Sequence, residues 1–89
     1  GNDNEGSNNV FIGSAAGEMN EDASNNVFIG TRAGMSNRIG YSNVFLGNEA
    51  GYNDTSGTYN VFIGNQAGYD NLKGFRNVLI GNNAGYSTD

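Results

Sequence analysis

Along most of its length the chain is polar, but five times it carries three apolar residues in a row. The triplets are Val10-Phe11-Ile12, Val27-Phe28-Ile29, Val44-Phe45-Leu46, Val61-Phe62-Ile63 and Val78-Leu79-Ile80, and each begins 17 residues after the last. Asn stands before every triplet and Gly after it, with Ala-Gly following three residues on. Counted from Asn9, Asn26, Asn43, Asn60 and Asn77, the unit reads N-V-F-I-G-x-x-A-G-Y-x-(N/D)-x-x-G-x-x. Position 12 is Asn20, Asn37, Asp54 and Asn71, with Asp3 in a leading partial unit; position 15 is Gly6, Ala23, Gly40, Gly57 and Gly74.

A fixed period dictates architecture before any local propensity does. The unit is too short for the helix pair of most helical repeats, and its glycines break helices. Val, Phe and Ile in succession favour a strand, bounded here by Asn and Gly. One unit is therefore expected to be one rung of a parallel β-solenoid, with two short straight segments and two turns. Five rungs at about 4.8 Å each make about 24 Å of rod. An antiparallel meander would advertise Asn-Gly, Asp-Gly or Gly-Gly hairpins, and none of these dipeptides occurs. The whole chain, residues 1–89, reads as a single solenoid domain and as a piece of something longer.

Stacked rungs place each residue over its repeat equivalent. The leading Asn column is expected to form an amide ladder, the position-12 residues to make Asx turns, and Gly at positions 5, 9 and 15 to supply positive φ. Side chains alternate along a strand, so positions 2 and 4 share one face and Asn with Phe share the other. With Val and Ile filling the rung interior, Phe11, Phe28, Phe45, Phe62 and Leu79 become an outward stripe. Leaving five such residues wet forgoes on the order of 10 kcal/mol, so the stripe is expected to be an oligomer interface. The simplest solution is a parallel homo-oligomer around one axis. The alternative is a rung wide enough to bury both faces.

Composition narrows the function. A net charge of -5 with only 4 Lys and Arg gives no basic stripe for nucleic acid. No apolar run is long enough for a membrane span. The chain has no Cys and no His, which removes disulfides, Ser-His and Cys-His nucleophiles and the usual zinc sites. Glu18, Glu21 and Asp22 cluster in one unit only and read as a solvated acidic turn. Position 12 is mostly Asn and suits turns better than a calcium ladder. G-x-x-A-G lacks the Lys of a phosphate loop, and Thr31, Thr55, Thr58 and Thr88 form no single row of the kind an ice-binding face uses. No catalytic residue, cofactor or metal is expected. Tyr52, Tyr69 and Tyr86 recur at position 10 as an aromatic ladder. They cover the turn or, alternatively, offer a glycan a stacking surface.

The phrases Asn8-Asn9-Val10-Phe11-Ile12-Gly13-Ser14-Ala15-Ala16 and Asn25-Asn26-Val27-Phe28-Ile29-Gly30-Thr31-Arg32-Ala33 resemble the head repeats of YadA-like trimeric autotransporter adhesins. Related phrases occur in bacteriophage tail fibres. The resemblance covers essentially the whole chain. It implies a left-handed parallel β-roll, a homotrimer, and an extracellular adhesive or receptor-facing fibre segment on a bacterial surface or virion, with a host glycan or protein as a further partner. The unit here is longer than the family's, and Phe stands where the family has a small residue. Both departures imply a wider rung or an aromatic-packed trimer axis.

Overall fold

A computed structural model describes residues 8–70 and 74–86. Asp3, Gly6, Asn71, Lys73 and Thr88 lie outside them. The described chain is all-β, a parallel β-solenoid of about four turns. Its strands are β1 (Val10–Ile12), β2 (Val27–Ile29), β3 (Val44–Leu46), β4 (Val61–Ile63) and β5 (Val78–Ile80). They form one sheet in sequence order, every neighbouring pair parallel. The register is that of the repeat: Phe28 pairs with Phe45, Phe45 with Phe62, and Phe62 with Leu79.

The second straight segment expected in each rung is a chain of tight turns instead. In the rung of β2, Ala33 N–H donates to Gly30 O, Met35 N–H to Arg32 O and Asn37 N–H to Gly34 O, at 3.0–3.2 Å. The same three bonds recur in the rung of β3. Between rungs, Gly17 N–H reaches Ala33 O, Gly34 N–H reaches Ala50 O and Gly51 N–H reaches Ala67 O, so the return side is laddered without being regular strand.

Backbone turning is shared out unexpectedly. Gly17, Gly34, Gly51, Gly68 and Gly85 have φ of +57° to +63°, as position 9 requires. Gly40 and Gly57, at position 15, are not in the left-handed region. They are glycine for space, since a Cβ on Gly40 runs into Gly57 O and the Asn37 amide. Two further columns take left-handed φ with ordinary residues. They are Ala15, Arg32, Glu49, Gln66 and Asn83 at position 7, and Asn8, Asn25, Ser42, Tyr59 and Arg76 at position 17.

The core inverts the expected facing of the strands. Phe28, Phe45 and Phe62 are 0% exposed, with Phe11 and Leu79 packed against them. Successive rings stack at 4.7–5.1 Å between centroids. Opposite them run Ala16, Ala33, Ala50 and Ala67, all buried. Position 9 is glycine for a second reason here, because a Cβ on Gly34 strikes the Phe28 ring. One large ring against Ala and Gly fills a thin rung; two branched side chains in its place leave Asn outside, away from the backbone groups it serves.

Those groups explain the Asn column. The side-chain amide of Asn43 donates to Gly57 O at 2.8 Å, within its own rung. Its Oδ1 accepts the backbone N–H of Asn60, one rung on, at 3.0 Å. Asn9, Asn26 and Asn60 repeat the pattern. The ladder is therefore mainly side chain to backbone, with an amide-to-amide contact from Asn43 to Asn26 at 3.2 Å as well.

Candidate functional site

The predicted interface residues Phe11, Phe28, Phe45, Phe62 and Leu79 form the spine of a single chain and do not line an outer face. The physical reason is parity: Asn at position 1 and Phe at position 3 must share a face, and Asn has buried backbone partners only on the inside. Positions 2 and 4 consequently point outward. Val10, Ile12, Ile29, Val78 and Ile80 are exposed, and Val27, Val44, Leu46, Val61 and Ile63 are partly exposed. The result is two parallel columns of aliphatic side chains on a sheet face. No charged residue interrupts positions 2 to 4 of any unit. A buried ring opposite a small-small pair, Ala-Gly, was the sequence signal for this facing.

The edge of that face that follows the strands carries polar ladders. Beyond the strands, Asn48 donates to Asn65 and Asn65 to Asn82, each at 3.0 Å. Arg32 Nη1 lies 3.0 Å from Glu49 Oε2, and Gln66 Nε2 donates to Glu49 Oε1 at 2.8 Å. These groups bond to their repeat equivalents across the rungs.

Tyr52, Tyr69 and Tyr86 do form a ladder. Their rings stack at 5.0 and 4.7 Å, the second pair within 1° of parallel. Both faces of Tyr69 are therefore covered by its neighbours. Desolvation, and after it the charge of Glu49, pushes the Tyr69 hydroxyl above its ordinary value. Asn53 donates to Asp70 at 2.6 Å nearby.

A second polar column lies inside. Asn20, Asn37 and Asp54, at position 12, are all buried. Asp54 accepts from Gly57 N–H through Oδ1 and from the Asn60 amide at 3.4 Å through Oδ2. Burial outweighs those bonds and raises its carboxyl to about 7. The buried side-chain polar atoms of Asn20 and Asn37 have no hydrogen-bond partner. This column is an internal feature of the fold. Among the described residues no group of three or more acidic side chains is placed to hold a metal, and no helix is long and apolar enough to cross a membrane.

One cluster was not singled out from the sequence. Ile39, Tyr41, Tyr59 and Phe75 project from the corner that precedes the strands, with 47–65% of their surface exposed. Tyr41 and Phe75 sit at position 16, where other rungs have Ser24 and Thr58. That departure from the repeat was the available signal. Comparison with family models, curated proteins and solved structures finds no match to the chain.

Proposed function

We propose that this chain is a structural and adhesive segment of an extracellular fibre, of the kind found in bacterial surface adhesins or phage tails. Three parallel copies associate through the Val/Ile face, and the rod so formed spaces or presents a site that binds a host surface. The observation that carries this reading is the double aliphatic column left outside a rod whose own core is already filled by Phe and Ala. A contiguous apolar face on a small chain marks an interaction surface. It repeats every rung, about 4.8 Å, and a parallel copy of the same chain matches that period along the full length. Symmetric association about one axis brings identical columns together without leaving an open partner surface.

Light scattering on a size-exclusion column tests the reading. A mass of three times 9.4 kDa supports it, provided that Ile29→Lys with Ile63→Lys returns the chain to monomer while the β-sheet circular dichroism persists. A wild-type chain that stays monomeric at high concentration sinks assembly through this face.

A further inference from the structure

Tyr41, Tyr59 and Phe75 are exposed aromatics that the fold does not call for. The backbone bonds at this corner are the same whatever side chain is present: Ser42 N–H to Ser24 O at 3.0 Å, Tyr59 N–H to Tyr41 O at 3.2 Å, and Arg76 N–H to Thr58 O at 3.1 Å. Ser and Thr therefore serve the rung as well as Tyr and Phe. Tyr59 has a φ of +57°, a conformation that disfavours an aromatic residue. Phe75 is 65% exposed and Tyr59 53%, so neither is held there by burial.

The three rings come from consecutive rungs and belong to one corner, at positions 16 and 17 of the unit. Tyr41 and Tyr59 meet edge to face, 5.9 Å between centroids and 75° apart, so they do not cover each other face to face as the rings of the Tyr52-Tyr69-Tyr86 stack do. Tyr41 and Phe75 occupy the same column two rungs apart, about 9.6 Å by the rung spacing. Two to three residues earlier, in two of these rungs, is an open groove of about 280 Å³ lined by Arg38, Ile39, Thr55 and Ser56. Arg38 Nη2 lies 3.2 Å from Glu21 Oε1 across the rungs, so the guanidinium that lines the groove is paired with a carboxylate.

We propose that this corner binds a neutral oligosaccharide, with the rings of Tyr41, Tyr59 and Phe75 packing on the apolar C–H faces of successive sugars and the groove side chains hydrogen-bonding their hydroxyls. A sugar presents both characters within one residue, and the corner alternates them at the same scale. An apolar protein surface fits the continuous Val/Ile face better than rings interleaved with hydroxyls. An anionic glycan is disfavoured by the net charge of -5 and by the pairing of Arg38 with Glu21. The separation of the rings over three rungs selects an oligomer over a monosaccharide. This site is independent of assembly through the Val/Ile face.

The test uses maltohexaose, cellohexaose, chitohexaose and mannohexaose with the whole chain, read by saturation-transfer NMR and calorimetry. At least one is expected to bind. Tyr41→Ser with Phe75→Thr, the residue types other rungs carry at this position, is expected to weaken it by about tenfold for each ring removed. Melting temperature and solution mass should not change. Tyr69→Ala should leave the affinity as it was. Saturation transfer to none of the four sugars overturns the proposal, as does binding that survives the double variant or is abolished by Tyr69→Ala alone.

Discussion

The Phe45 and Phe62 rings lie 4.8 Å apart between centroids and within 4° of parallel, one directly above the other in adjacent rungs. The spacing is the sheet's own interstrand distance, so the stack and the backbone ladder impose the same repeat on each other. Neither has to stretch to accommodate its partner.

Phe45 should consequently be the most sensitive residue of β3. Phe45→Ala is expected to destabilise by about 3–5 kcal/mol, in a rung where the other large buried side chains, Asn43 and Asp54, are polar. Phe45→Leu copies Leu79 of the last rung and should cost clearly less. Urea titration followed by circular dichroism separates the two, and equal costs for both variants argue against ring stacking as the dominant contribution.

Asn43 is buried, and its side chain serves two backbone groups, Gly57 O and Asn60 N–H. Asn43→Ala strands both away from water. Each orphaned group costs about 1–3 kcal/mol, so the variant should lose about 2–6 kcal/mol in chemical denaturation. A loss below 1 kcal/mol would mean that water replaces the amide.

Ala15 and Gly34 have nearly the same φ, +62° and +58°, and should respond oppositely to exchange. Left-handed φ costs a non-glycine residue about 1–2 kcal/mol, while glycine loses about 0.5–1 kcal/mol more backbone entropy than alanine. Ala15→Gly should thus be neutral to stabilising by up to about 1.5 kcal/mol. Gly34→Ala combines the φ cost with a collision against Phe28 and should destabilise by at least about 2 kcal/mol. Thermal melts of the two variants settle the signs.

Asp54 makes stability depend on pH. Its carboxyl rises from 3.8 in the unfolded chain to about 7 in the fold, chiefly through desolvation. The folded state therefore holds the proton more tightly. Its advantage is full below the unfolded value, falls as pH rises from about 4, and is gone above about 7. Melting at pH 5 should occur at a higher temperature than at pH 8. Asp54→Asn, the residue type found at Asn20 and Asn37, should remove most of that difference. A wild-type chain equally stable at both pH values contradicts a buried, proton-linked Asp54.

The period, the strand triplets and the parallel in-register stacking were legible because every one of them repeats, and repetition makes a one-dimensional signal out of a three-dimensional contact. Facing was harder. Val-Phe-Ile offers apolar side chains to both sides of a strand, so hydrophobicity could not choose between them; the choice rests on Asn43 and its equivalents finding backbone partners inside. The return path was misjudged because the left-handed corners at Arg32, Glu49 and Gln66 carry no glycine to mark them. Tyr41 and Phe75 escaped notice for the opposite reason. A reading tuned to what recurs passes over residues that matter by not recurring.

Bonds between rungs run along the rod, and the chain climbs one rung per unit, so an axial pull on the two ends is borne by every rung interface in series, and the end rungs, held on one side only, let go first. A rung that lets go at an end exchanges about 4.8 Å of rod for 17 residues of slack, about 58 Å when drawn taut. Drawn from its ends, such a stack would lengthen in equal increments, one unit at a time, while the remaining rungs keep their contacts.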